Sequence, residues 1–153
     1  MTDVISVAAY ILSRTGAVEA LKLQKLAYYC QAWYLAWTGR PLFPENFQAW
    51  ANGPVCRELY DTHYRQYWVL PGNLTERPLS EAQRTAIDRV LDFYGAMTPQ
   101  QLSDLTHSEE PWIAARTVGG ASDGDRSEAV IDNNIMMNYY RRQAARAAAM
   151  VQA

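Results

Sequence analysis

The sequence predicts a mainly α fold, a compact single-domain helical bundle of about six helices with at most a short extended pair. Three observations carry that expectation. Apolar residues recur at helical spacing, most densely between positions 19 and 38. Ser80-Glu81-Ala82-Gln83 and Thr98-Pro99-Gln100-Gln101 both have the form in which a hydroxyl and a glutamine close a helix N-terminus reciprocally. Glycine and proline fall mostly between the periodic stretches, where they punctuate.

In chain order, the first helix is expected over roughly 3–14, with Val4, Ala8, Ile11 and Leu12 on one face and a break at Gly16. The second is expected over 19–38. Leu23, Leu26, Ala27, Cys30, Trp33, Tyr34 and Trp37 recur at i, i+3, i+4 and i+7, and Tyr28, Tyr29 and Leu35 cover the other side. A helix apolar on most sides belongs at the centre of its domain. Gly39 suits a left-handed stop, and Pro41 prevents resumption. Residues 42–52 read as a loop with an extended piece near Phe47–Trp50. Pro54 is expected in the first turn of a third helix, where its missing N–H costs nothing, and that helix is expected to run to about Tyr67 with Val55, Leu59 and Tyr60 inward.

Residues 70–79 are turn-rich. The helix opened by Ser80 carries Ile87, Val90, Leu91 and Tyr94 as its stripe, and the one opened by Thr98 turns Leu102 and Leu105 inward. A short helix follows, with Ser108 as cap, Glu109 and Glu110 in the first turn and Trp112 as anchor. Residues 117–127 have loop composition. The last helix starts after Asp132 and carries Ile135, Met136, Tyr139 and Tyr140. Its Ala-rich end, 141–153, has high helix propensity and little to bury. Leu26, Trp33, Trp50 and Trp112 are expected in the core.

Composition narrows the function classes. At 49% hydrophobic and 20% charged residues, the chain has the makings of a packed core. Five Trp and ten Tyr supply large buried areas and also suit protein-binding surfaces. A net charge of −2 speaks against nucleic-acid binding, which draws its affinity from neutralised phosphates, and Arg141, Arg142 and Arg146 are too few to reverse that expectation. Two cysteines make no disulfide framework, so a reduced cytoplasm is the simpler setting. Residues 4–12 are apolar but lack a basic leader. No stretch reaches the roughly 18 residues of a membrane span, so no membrane association is expected.

Candidate chemistry is sparse. His63, His107, Cys30 and Cys56 stand at no zinc-like spacing, so neither a metal nor another cofactor is expected. Cys30 or Cys56 with His107 and Asp104 has the residue types of a nucleophilic set but no local motif. Gly119-Gly120 has no phosphate-loop context. Two segments stand out. Leu105 to Trp112 crowds Thr106, His107 and Ser108 at a helix junction, either as caps or as a polar binding corner. Trp50-Ala51-Asn52-Gly53-Pro54-Val55 sets an aromatic on a rigid turn, either as core or beside a recognition groove.

These segments resemble the Panacea domain of SocA-like antitoxins. The resemblance runs through 22–29 (KLQKLAYY), 31–36 (QAWYLA), 39–43 (GRPLF), Ala49-Trp50, 52–55 (NGPV) and Leu59-Tyr60, then Leu105-Thr106-His107 and Pro111-Trp112. It covers about residues 5–140, so the domain is expected over 1–140 with 141–153 as an extension. It implies an antitoxin, not an enzyme, that neutralises a cognate protein toxin by direct binding. It also implies one alternative, an adaptor delivering the toxin to the ClpXP protease. A DNA-binding autoregulator is a further alternative from another class, against which the overall charge speaks. A hydrolase centred on His107 is the competing class. Asn52, Tyr60, Tyr64 and His107 combine polar turns with tyrosines on the less apolar face of the third helix, and are the expected partner-binding residues.

Overall fold

The computed structural model describes residues 1–152. Its axis is α2 (Ala20–Thr38), which buries Leu23, Leu26, Ala27, Tyr28, Tyr29, Cys30, Ala32, Leu35 and Ala36. Gly39 ends it in the left-handed region at φ 75°, with its N–H on the Leu35 carbonyl at 2.8 Å. Around this axis pack α1 (Val4–Thr15), α4 (Glu81–Tyr94), α5 (Pro99–His107) and α7 (Asn133–Gln152), the last making the longest interface with α2. With α3 (Arg57–His63) and α6 (Glu110–Val118), seven helices stand among the described residues.

The capping signals in the sequence are realised in full. Ser80 accepts from the Gln83 N–H while Gln83 returns a bond to the Ser80 N–H, and Thr98 with Gln101 repeats the pattern, with Pro99 at the start of the helix. Asp3 caps α1 through the Ser6 N–H at 2.7 Å.

Two short antiparallel pairs are present where one was expected. The first joins β2 (Gln48–Trp50) and β3 (Gly53–Val55), with Trp50 opposite Gly53 and Gln48 opposite Val55. The second joins β1 (Val18–Glu19) and β4 (Trp68–Val69). The β2–β3 hairpin corrects the expectation for Pro54, which lies in a strand and not in a first helical turn. Helix α3 begins only after Cys56. It also ends at His63, short of Tyr67, because Tyr64 turns extended and Arg65 adopts φ 65° to swing the chain into β4.

Two further corrections concern the junction at 105–112. Ser108 closes α5 and donates to the Leu105 carbonyl at 2.7 Å; it does not cap α6. Glu109 stands at the N-cap of α6 and turns its carboxylate into the core. Leu26 and Trp112 are buried as expected, whereas Trp33 and Trp50 are half-buried and form parts of surfaces. The Ala-rich end of α7 is continuous helix through Gln152. Arg141 anchors its start by donating from Nε to the Ala36 carbonyl at 3.0 Å.

Candidate functional site

The hairpin β2–β3 is held by α5, α6 and α2. Trp112 donates its indole N–H to the Trp50 carbonyl at 2.9 Å, and Arg116 donates to the Ala49 carbonyl at 2.9 Å. Ser103 Oγ donates to the Asn52 carbonyl at 2.9 Å. From the α2 side, Gln24 accepts the Cys56 N–H at 2.8 Å and donates from Nε2 to the Cys56 carbonyl and toward His63 Nε2 at 2.9 Å. Burial holds the His63 imidazole below its ordinary pKa, which suits a neutral ring accepting that bond.

On this support sits an aromatic face. The Trp50 and Tyr60 rings meet edge-on with centroids 5.0 Å apart, and Tyr60 meets Tyr64 at 5.7 Å. Arg57 lies over Trp50 at 5.2 Å and Arg65 over Tyr64 at 5.1 Å. Farther along the chain, Tyr67 and Trp68 form another edge-on pair at 5.6 Å. Tyr64, Tyr67 and Trp68 are 55%, 69% and 52% exposed, so their aromatic area is left to solvent in this fold. Two shallow cavities of about 220 Å³ each open here. Tyr60, His63 and Tyr67 line one; Trp50, Asn52 and Val55 line the other; Leu21 lines both and joins them into one surface.

Of the residues expected from sequence, Asn52 is exposed at the hairpin turn, Tyr60 is half-buried and Tyr64 exposed. All three border Trp50 or its aromatic neighbours. His107 stands apart. Its ring stacks on Trp112 at 4.1 Å and 17°, and that indole in turn holds the hairpin. The buried His107 Nε2 has no hydrogen-bond partner among the described residues. Burial and the nearby Lys25 hold its pKa down. Sequence reasoning missed Leu21, Tyr67 and Trp68. The cluster Tyr64, Tyr67, Trp68 and Leu70 was a signal, masked by the expectation that α3 ran on through it.

Burial pushes the Cys30 thiol up and the Cys56 thiol up to about 12, which disfavours the reactive thiolate. Asp104, the orienting acid considered for His107, accepts from Gln100 Nε2 at 2.8 Å. Among the described residues no three His, Cys, Asp or Glu side chains gather in a metal-binding group. Lys25 is almost wholly buried, its Nζ has no hydrogen-bond partner among the described residues, and burial pulls its pKa down to about 8.

The family described as Antitoxin SocA-like, Panacea domain, matches residues 23–113. The chain belongs to this family. Antitoxin SocA of Caulobacter vibrioides (strain NA1000 / CB15N) is 30% identical over 128 residues, covering 72% of this chain and 68% of that one. No solved structure matches. In this Panacea domain the matched span contains α2 from Leu23 onward, both strands of the hairpin, α3 and the His107–Trp112 stack. Helices α1 and α7 lie outside the match, yet both pack directly on α2. No helix among the described residues is long and apolar enough to cross a membrane.

Proposed function

We propose that this antitoxin neutralises a cognate protein toxin by direct, non-catalytic binding in the cytoplasm, and that the toxin docks on the face around Trp50. The domain responsible runs over 1–140, with 141–153 as an extension of its last helix. The observation that carries the reading is the exposed pair Tyr64 and Tyr67 next to Tyr60, which packs edge-on against Trp50 on a hairpin fixed by Trp112 and Arg116, with Trp68 against Tyr67 at the margin. Rigid tyrosines and tryptophans offer large contact area at small entropy cost, and a few such side chains commonly carry most of an interface's binding energy. Asn52, Tyr60 and Tyr64 contribute directly. His107 acts from behind, by bracing Trp112.

The test is co-expression of the chain with the toxin encoded beside it, with recovery of a stoichiometric complex and rescue of growth. Asn52→Asp with Tyr64→Asp is expected to abolish both while the variant melts like the parent. Rescue that persists without a complex, in cells lacking ClpXP, defeats the binding reading and returns a His107-centred enzyme to first place. Rescue that requires ClpXP makes the chain a proteolytic adaptor, which still depends on the same docking step.

A further inference from the structure

A second concavity lies away from the Trp50 face and shares none of its lining residues. It is a cavity of about 490 Å³ between α2, α4, α5 and α7, walled by Trp33, Trp37, Phe93, Tyr94 and Tyr140 with Glu109 among its lining. Ala144 and Ala147 close it from the C-terminal part of α7, so this Ala-rich stretch forms one wall. Small side chains there leave the space open.

Glu109 gives the cavity its chemistry. It is 8% exposed, yet its carboxylate does not cap the helix it precedes. Both Tyr29 and Tyr140 donate to the same oxygen, Oε1, at 2.7 and 2.8 Å. The other oxygen, Oε2, accepts nothing from the described residues, and no basic side chain pairs with this carboxylate in an ion pair. Burial raises the pKa of this carboxyl above its ordinary value, and the two hydroxyl donors oppose that rise in part. An incoming cation would favour the ionised form further. A buried carboxylate with one oxygen saturated and one open, facing tryptophan and tyrosine rings, is the composition that recognises organic cations.

We propose that this cavity is a docking site for a basic side chain, arginine above lysine, presented between apolar residues of a bound protein. The guanidinium pairs with Glu109 Oε2 and lies against the Trp33 and Tyr94 rings, while flanking apolar groups contact Phe93 and the alanines of α7. The chain supplies its own precedent for the stacking: Arg89 lies over the Trp37 ring at 4.0 Å, on the cavity's edge. Arg89 is exposed and has no ion-pair partner among the described residues, so it covers the outer wall and opposes an incoming cation at the rim. The inference does not rest on the antitoxin reading, because it concerns a different surface and a ligand chemistry that needs no toxin to be tested.

The probe is the peptide acetyl-Leu-Arg-Leu-amide, titrated into the full chain while tryptophan fluorescence and the indole N–H resonances of Trp33 and Trp37 are followed. Its uncharged counterpart carries citrulline, which keeps the shape and loses the charge. The arginine peptide is expected to shift both indole resonances and to bind about tenfold or more tightly than the citrulline peptide. Glu109→Gln, which keeps an acceptor for the two tyrosines, is expected to erase that preference. Arg89→Ala is expected to raise affinity about twofold to fivefold at low salt by removing the like charge. Equal binding of both peptides, or binding of neither, overturns the proposal. So does a loss of affinity in Arg89→Ala with none in Glu109→Gln, which shows that the guanidinium is not held by Glu109. The comparison of the two peptides on the unaltered chain needs no variant, so a folding defect in Glu109→Gln leaves the test decisive.

Discussion

Gly53 passes so close to Lys25 that a β-carbon on it would stand 2.7 Å from the lysine Cε and 3.2 Å from Nζ. Its backbone is at φ 121°, which L side chains rarely adopt. The hairpin turn therefore requires glycine here twice over, for conformation and for space. Gly53→Ala is expected to cost about 1–3 kcal/mol from backbone strain, with the contact against buried Lys25 adding to it. Urea denaturation measures the loss; a midpoint unchanged from the parent would show that the turn relaxes freely.

The Lys25 ammonium, 1% exposed and without a hydrogen-bond partner among the described residues, makes stability depend on pH in a definite direction. Burial pulls its pKa from 10.5 down to about 8 in the fold. Between those values the unfolded chain binds a proton that the folded chain has released, so this group's contribution rises with pH through that window. Below it, the folded state carries the full cost of a buried charge, about 3 kcal/mol for such a shift. Lys25→Met is expected to stabilise the chain at neutral pH, with its advantage shrinking as pH rises above about 8. Subtracting variant from parent at each pH removes the opposing influence of the buried tyrosines and cysteines. An advantage independent of pH would mean that the ammonium is solvated.

Arg116 is the staple between the loop after α6 and the hairpin. It donates to the carbonyls of Ala49, Ser122 and Asp125 at 2.9, 2.9 and 2.7 Å while lying over Trp112 at 4.9 Å. Arg116→Met leaves three carbonyls without their charged donor and is expected to cost about 3 kcal/mol, since a hydrogen bond to a charged group is worth roughly 1.5–3 kcal/mol. Amides of 121–129 should exchange faster by hydrogen–deuterium measurement than those of α2. Uniform protection across the chain would show that the loop is held by other means.

The helices were legible wherever one local rule decided them. Ser80 with Gln83 and Thr98 with Gln101 announce their own caps, and Gly39 its stop, because those bonds close within three or four residues. The sequence could not show what depends on distant pairing. Trp68-Val69 becomes a strand only because Val18-Glu19 lies beside it, and Pro54 becomes a strand residue only because Ala49 pairs with it. The same limit blurred the candidate site. Trp33 follows core spacing and Trp50 stands on a rigid turn, yet each is half-buried at the edge of a cavity whose other walls come from remote segments. Glu109 has the pattern of an exposed first-turn acid. Its burial follows from Tyr29 and Tyr140, 80 and 31 residues away.

The exposed aromatics separate folding from binding. Tyr64, Tyr67 and Trp68 are each more than half exposed, so they add little to the core. Substitutions at such positions normally change stability by no more than about 0.5 kcal/mol. Tyr64→Ser and Tyr67→Ser are therefore expected to melt like the parent. Trp68 also lends backbone to the β1–β4 pair, so Trp68→Thr, which keeps a strand-forming residue, is the appropriate change there. If the toxin docks on this face, at least one of the three variants should weaken the complex by about 2 kcal/mol or more, near thirtyfold in Kd, as a central aromatic anchor does. Calorimetric titration of toxin into each variant gives the number directly. Three variants that fold and bind like the parent would remove the Trp50 face from consideration and leave the Glu109 cavity as the remaining aromatic surface to test against the toxin.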